Sequence, residues 1–232
     1  MNDNPDLRNT GQNPAVVVGD DAVPQRVSPA QEWVEVRVGD GTERPDELPW
    51  TSGSMYVSRT FCFADLSGFT GYTRRYGPPE AVRLLGEFRT VTRRVATARG
   101  VRVAKWLGDG VMIVGVEPSP TIALAAHMID HFARTDVEVR VGIATGLALL
   151  FEGDDYIGEP VNLAAKLCAA AQPREILADT KPEDLPEWVT EGENIEVDIR
   201  GLGRIGGIHR LLPALDRRGR EGFDIPDACV AE

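Results

Sequence analysis

Long apolar runs and cysteine are scarce in this chain of 232 residues. No stretch approaches the roughly 18–20 consecutive apolar residues that a transmembrane helix needs, so no membrane span is predicted. The three cysteines show neither paired spacing nor a ligand motif, so no disulfide framework is implied. The first residues lack the basic-then-apolar pattern of a secretory signal, and we therefore expect a cytoplasmic protein.

Basic residues are also few, and the formal net charge is −11. This charge argues against a general nucleic-acid-binding protein. Residues 58–106 are an exception, because they contain ten Lys or Arg against three Asp or Glu, a local charge of +7. This basic block is either the surroundings of a polyphosphate ligand or a solvated arginine face on one helix.

Composition along the chain predicts one folded domain between two polar ends. Residues 1–55 read as a flexible arm rich in Asn, Asp, Gly and Pro, and residues 214–232 read as a charged tail. Residues 56–213 carry the apolar periodicity. With 42% hydrophobic residues in the whole chain, this domain has enough apolar material for a core.

The periodicity of the domain predicts an α+β fold. A helix from Pro78 to Gly100 has proline at its start, glycine at its end and one apolar face. A hairpin, further helices and further strands follow. The order strand–helix–hairpin–helix–strand predicts a ferredoxin-like βαββαβ core, a mostly antiparallel sheet flanked by helices. The other predicted segments are strands at 59–65, 101–106, 111–116, 137–144, 147–151 and 175–178, and helices at 122–133 and 161–171. Segments at 196–199 and 208–212 are expected to close the domain.

Two aspartates close apolar, strand-like runs at glycine-bearing turns. Asp65 precedes Leu-Ser-Gly, and Asp109 lies between Gly108 and Gly110. Two carboxylates at the mouths of strands suit a pair of divalent cations, because hard cations take oxygen ligands on a rigid frame. The alternative for Asp65 taken alone is a helix N-cap.

Three separated blocks of sequence resemble the catalytic domain of class III nucleotidyl cyclases, the adenylate and guanylate cyclase family, and are most like bacterial adenylate cyclases. The resemblance covers roughly residues 56–213. The blocks read Phe-Ala-Asp-Leu-Ser-Gly-Phe-Thr at 63–70, Lys-Trp-Leu-Gly-Asp-Gly at 105–110, and Val-Gly-Ile-Ala-Thr-Gly at 141–146, the last followed by Asp-Tyr-Ile-Gly-Glu-Pro-Val-Asn-Leu-Ala-Ala-Lys-Leu at 155–167.

The resemblance implies a metal site and a phosphate site. Asp65 and Asp109 match the family aspartates that hold two Mg²⁺ or Mn²⁺ ions per site, with the carbonyl of Leu66 as a further ligand. The phosphates are expected to face backbone N–H groups at a helix start. These N–H groups belong to Gly68, Phe69 and Thr70.

The resemblance also implies a base-reading pair, Lys105 and Asp155. A lysine can only donate and an ionised aspartate can only accept, which fits the N1 acceptor and the N6 donors of adenine. Guanylate cyclases carry Glu and Cys-like residues at these positions. The alternative for the pair is a plain surface ion pair, which is worth little energetically.

Asn162 and Lys166 match the family residues that orient the ribose and stabilise the transition state, and their i,i+4 spacing places them on one face of a helix. The family uses arginine at the second position. Lys166 keeps the positive charge but loses the planar fork that holds two phosphate oxygens. We therefore expect this departure to affect the rate more than the reaction.

Taken together, the resemblance implies an adenylate cyclase that converts ATP to 3′,5′-cyclic AMP and pyrophosphate. In the family each active site lies between two subunits, and this chain holds both residue sets, so a symmetric homodimer is implied. Two alternatives remain open. One is a guanylate cyclase, and the other is a low-activity, cyclase-like dimer that binds nucleotide or a partner.

Overall fold

The computed structural model describes residues 55–133, 135–151, 155–199 and 202–213. The predicted arm before Met55 and the predicted tail after Pro213 lie outside these residues. Within them, the elements in chain order are β1 Met55–Ser67, α1 Phe69–Tyr76, α2 Pro78–Arg99, β2 Arg102–Leu107, β3 Gly110–Gly115, α3 Pro118–Phe132, β4 Glu138–Phe151, β5 Asp155–Ile157, α4 Glu159–Ala170, β6 Ile176–Asp179, β7 Val189–Ile199 and β8 Gly203–Pro213.

The described strands form one eight-stranded sheet in the order β2-β3-β1-β4-β6-β8-β7, and β5 pairs with β4 outside this path. Strands β4 and β6 run parallel, whereas the other described pairs are antiparallel. The first four strands, connected through α1–α2 and α3, have the βαββαβ order of a ferredoxin-like unit. The predicted α+β fold is confirmed.

Strand β1 lies inside the sheet and is buried on both faces. Cys62, Ala64 and Leu66 pack into a cluster with α2 and α3, which we call the α2–α3 core. Phe61 packs into a second cluster with α4, the α4 core. Because successive side chains of a strand point to opposite faces, one apolar run supplies two layers.

Helix α2 forms where its end signals predict. Pro78 begins it, and Gly100 follows its last residue with φ +67°, a left-handed conformation that glycine adopts without strain. Its buried side chains include Leu84, Phe88 and Val95, the apolar face read from the sequence. Among the described helices, none is both long and apolar enough to cross a membrane.

Helix α4 packs directly on β4 because Gly142 has no side chain. A Cβ at this position would lie 2.1 Å from the backbone nitrogen of Cys168 and 2.2 Å from the carbonyl oxygen of Ala164, both in α4. A Cβ at Gly146 would lie 3.2 Å from the ring of Pro160. The two glycines of the third sequence block therefore set the distance between the sheet and α4.

The prediction of two strands at 137–144 and 147–151 was wrong, since β4 runs without interruption from Glu138 to Phe151. Gly146 lies in the gap between the two predicted strands. In the structure it accommodates the first turn of α4 while the backbone continues as a strand.

Gly142→Ala is expected to lower the free energy of unfolding by about 2–3 kcal/mol, because the new methyl group overlaps backbone atoms that cannot rotate away. Gly86→Ala is the matched control. Gly86 is exposed on α2 with no neighbouring atom near an added Cβ, so this change should raise stability by about 0.5–1 kcal/mol. Urea unfolding followed by circular dichroism measures both. If Gly142→Ala had the same free energy of unfolding as wild type, the close packing of α4 on β4 would be contradicted.

Candidate functional site

The structure brings the segments of the two predicted metal-binding aspartates together. Asp65 lies near the end of β1 and pairs with Gly110 of β3. Asp109 lies in the β2–β3 turn, and its carbonyl oxygen accepts a hydrogen bond from the Leu66 N–H at 3.2 Å. The residue after the first aspartate is thus tied to the backbone of the second, which fixes the two segments relative to each other.

Arg140 is a third member of this site that the sequence reasoning missed. It pairs with Asp65 across β1 and β4. Its Nε and Nη2 donate to Oδ2 of Asp65 at 3.0 and 2.7 Å, and its Nη1 donates to the Ala169 carbonyl oxygen of α4 at 3.1 Å. One guanidinium therefore orients the carboxylate and links it to the end of α4. A signal was present, because Arg140 is the one basic residue in the otherwise apolar run 139–144.

The surroundings of Asp65 disfavour the charged form of its carboxylate. Burial raises the pKa of Asp65 above its ordinary value, the hydrogen bonds from Arg140 oppose this increase, and the charge of Asp109 adds to it. Two nearby carboxylates that repel each other are stabilised when a cation lies between them. The local electrostatics therefore suit a positively charged ligand.

The donor set fits Mg²⁺ or Mn²⁺. Among the described residues, no three His, Cys, Asp or Glu side chains converge as metal ligands. Mg²⁺ is usually bound by one or two carboxylates, with water and substrate phosphates completing its coordination. Asp65 and Asp109 supply that number of carboxylates, and the remaining ligands would come from a backbone carbonyl, water and the nucleotide.

A cavity of about 160 Å³ opens beside Asp65. A Cβ at Gly110 would lie 3.2 Å from Oδ1 of Asp65, so glycine at this position keeps space beside the oxygen that Arg140 does not hold. Ala165 and Ala169 of α4 form part of the cavity wall. The small residues thus leave space at the end of β1, beside the charged side chains of Asp65 and Arg140.

Helix α1 begins where the sequence predicted a helix start for phosphate binding. Gly68 precedes it with φ +81°, and no side chain caps its first turn. The first turn, which contains Phe69 and Thr70, also carries no acidic residue. The N–H groups at a helix start attract anions, so this end of α1 remains a predicted phosphate site.

The structure also brings together the predicted base-reading residues. Lys105 of β2 and Asp155 of β5 form an ion pair, and their side chains are 43% and 44% exposed. The pair lies on the α4 side of the sheet, because Lys105 pairs with Met112, a member of the α4 core. Contact between these two side chains agrees with the resemblance, and their role remains a prediction.

Asn162 and Lys166 lie one turn apart on α4, and both side chains are partly exposed. Ala165 and Ala169, which border the cavity beside Asp65, lie on the same side of the helix by their spacing. The structure therefore places the predicted ribose and transition-state residues on the helix that also borders the aspartate site.

Comparisons with known proteins identify the family of this chain. The family model described as adenylate and guanylate cyclase catalytic domain matches residues 54–205. An uncharacterised protein of Mycobacterium tuberculosis is 43% identical over 129 residues, which cover 54% of this chain and 34% of that protein. An adenylate cyclase of Streptomyces coelicolor is 37% identical over 120 residues, which cover 51% of this chain and 31% of that protein. The matched segment thus spans about a third of these curated relatives.

A solved structure supports the fold. The crystal structure of the adenylyl cyclase CyaB from P. aeruginosa superposes with a TM-score of 0.61 at 23% sequence identity. The superposition covers 72% of this chain and 98% of that chain. At this identity the likeness concerns the fold alone.

Arg140→Ala is expected to lower the free energy of unfolding of the metal-free protein at pH 7 by about 1–2 kcal/mol, because it leaves a partly buried carboxylate beside Asp109. Adding Asp65→Asn should recover most of this loss. Arg174→Ala is the control, since its more exposed ion pair with Glu138 spans 3.8 Å and should cost less than about 0.5 kcal/mol. Additive losses in the double variant would contradict the Asp65–Arg140 contact.

Proposed function

Since this chain belongs to the adenylate and guanylate cyclase catalytic domain family, we propose that it is an adenylate cyclase. In this reaction the ribose O3′ of ATP attacks the α-phosphorus and forms the new ester bond. The bond from the α-phosphorus to the oxygen bridging to the β-phosphate breaks, and pyrophosphate leaves. The proton of the 3′-hydroxyl passes to solvent, and the product is 3′,5′-cyclic AMP.

The contact between Lys105 and Asp155 is the observation that carries the choice of ATP. The Lys105 ammonium donates to N1 of adenine, and the Asp155 carboxylate accepts from N6. Guanine presents a donor at N1 and an acceptor at C6, so both interactions would be mismatched. The similarity to an adenylate cyclase of Streptomyces coelicolor supports the same choice.

Asp65, Asp109 and the Leu66 carbonyl would hold two Mg²⁺ or Mn²⁺ ions in each site. When bound, these ions lower the pKa of the 3′-hydroxyl and neutralise the triphosphate. Arg140 holds one oxygen of Asp65 and so orients the carboxylate. The absence of a side chain at Gly110 leaves space beside the other oxygen, which would bind the metal.

The triphosphate is bound at the start of α1, where Gly68, Phe69 and Thr70 present backbone N–H groups. Asn162 orients the ribose, so that O3′ stays in line with the bond that breaks. Lys166 places a positive charge where negative charge develops on the transferring phosphoryl group. These groups bind and orient, and they form no covalent bond with the substrate.

We further propose a homodimer with two composite sites. Each would combine the aspartates of one protomer with Lys105, Asp155, Asn162 and Lys166 of its partner. The partly exposed side of α4 supports this, because side chains placed there by the fold remain accessible to a second copy. Both residue sets occur in one chain, so a two-fold axis generates two equal sites.

The purified protein with Mn²⁺ is expected to form cyclic AMP from ATP at least about tenfold more efficiently than cyclic GMP from GTP, because each mismatched hydrogen bond costs a factor of this order. Lys166→Arg should raise kcat by about tenfold, since the planar fork grips two oxygens. Chromatographic separation of products measures both. A preference for GTP would make the protein a guanylate cyclase. Product no higher than in the metal-free control would favour a cyclase-like binding dimer.

Asp65→Ala and Asn162→Ala proteins are each expected to be inactive, whereas their equimolar mixture should recover about a quarter of wild-type activity. Half of the dimers in such a mixture are mixed, and each mixed dimer has one intact site out of two. The Asp65→Ala protein mixed with itself is the control. No recovery, despite subunit exchange seen by mass spectrometry, would argue against composite sites.

A further inference from the structure

Strands β2 and β5 contact each other twice, and the Lys105–Asp155 ion pair is only one of the two contacts. Beside it, Nη2 of Arg102 donates a hydrogen bond to the hydroxyl of Tyr156 at 3.1 Å. The guanidinium carbon of Arg102 also lies 5.6 Å from the centre of the Tyr156 ring. Two consecutive residues of β5 are therefore held by two residues of β2.

A β-bulge in β2 makes the double contact possible. In a regular strand, residues three apart point to opposite faces. Here Arg102 pairs with Val114 and Lys105 pairs with Met112, and Ala104 is the extra residue of the bulge. Both partners belong to the α4 core, so Arg102 and Lys105 lie on the same face of the sheet. Bulges of this kind commonly redirect a side chain at a functional site.

Tyr156 is anchored from both ends of its side chain. Its ring meets the fully buried ring of Phe61 edge to face, with 5.3 Å between centroids and 69° between planes. Its hydroxyl is held by Arg102. Strand β5 contains three residues, and within the described part of the chain it pairs with the end of β4, so it has little rigidity of its own. The anchored tyrosine restrains the adjacent Asp155.

We propose that Arg102 and Tyr156 are positioning residues that set the preference of this site for adenine, by holding Asp155 at a fixed place opposite Lys105. This inference rests on the proposed function. An ion pair with both side chains more than 40% exposed is weak by itself. Such a pair adds little restraint to β5, whereas adenine needs both partners at set positions along one ring edge.

The role predicts a specific kinetic pattern. Arg102 and Tyr156 affect the position of Asp155, which binds the base. Other residues, such as Lys166, act at the reacting phosphorus. Their loss should therefore weaken ATP binding and the discrimination against GTP, and it should leave turnover at saturating ATP nearly unchanged. A general loss of folding would instead lower the active fraction and kcat for both nucleotides.

The test compares Tyr156→Phe and Arg102→Gln with wild type. Tyr156→Phe removes the hydroxyl and keeps the ring on Phe61. Each variant should raise KM for ATP about fivefold to tenfold and lower the ATP-over-GTP ratio of kcat/KM by a similar factor, with kcat for ATP changed less than about twofold. The double variant should be no worse than Arg102→Gln alone, because that single change already removes both the hydrogen bond to the Tyr156 hydroxyl and the contact with its ring.

Two further variants complete the design. Arg102→Lys keeps a donor and should retain most of the preference. Arg83→Gln removes an exposed arginine of α2 that bonds only Glu80 among the described contacts, and it should match wild type in KM, preference and melting temperature. Tyr156→Phe is expected to have the same melting temperature as this control.

The outcomes separate this inference from the proposed function. If wild type prefers ATP and both single variants keep its KM and preference, the positioning role is wrong and the adenylate cyclase stands. A fall in kcat at unchanged KM also contradicts the positioning role. If wild type forms no cyclic nucleotide, the proposed function fails, and this inference fails with it.

Discussion

The pairing of β1 between β3 and β4 is the constraint on which the candidate site depends. All 13 residues of β1 pair with β4, and this register places Asp65 beside Arg140 and Gly110 at once. A slip of one residue would turn the Asp65 carboxylate into the apolar α2–α3 core, where Ala64 and Leu66 now lie. The cost of burying that charge makes this register the favoured one.

Within this register, Arg140 orients the Asp65 carboxylate. The chain is strongly acidic overall, yet the partly buried carboxylate of Asp65 is held by a guanidinium that also bonds the carbonyl of Ala169 in α4. The sheet, the carboxylate and the helix bearing Asn162 and Lys166 are thereby joined by one side chain. Glycine at 142 allows the same helix to sit directly on β4. Charge and close packing act together to hold the end of α4 near Asp65.

Local signals predicted a large part of this molecule. Proline and glycine at the ends of α2 specify where that helix begins and ends, and Asp65 and Asp109 stand out because each follows an apolar run at a glycine turn. Arg140 was not predicted as a site residue, because a charged residue within a strand is also typical of a solvent-exposed strand face. The length of β4 was misread, because a glycine that accommodates helix packing has the same sequence signature as a glycine in a turn.

The sequence by itself determined the α+β class, the family and the chemical groups of the site, because periodicity, end signals and motif spacing are properties of neighbouring residues. Only the tertiary structure decided which groups meet. Arg140 reaches Asp65 across 75 residues of chain, and Arg102 reaches Tyr156 across 54. Those contacts depend on the accumulated register of several strands and on one extra residue in β2, and neither is encoded in any single stretch of the chain.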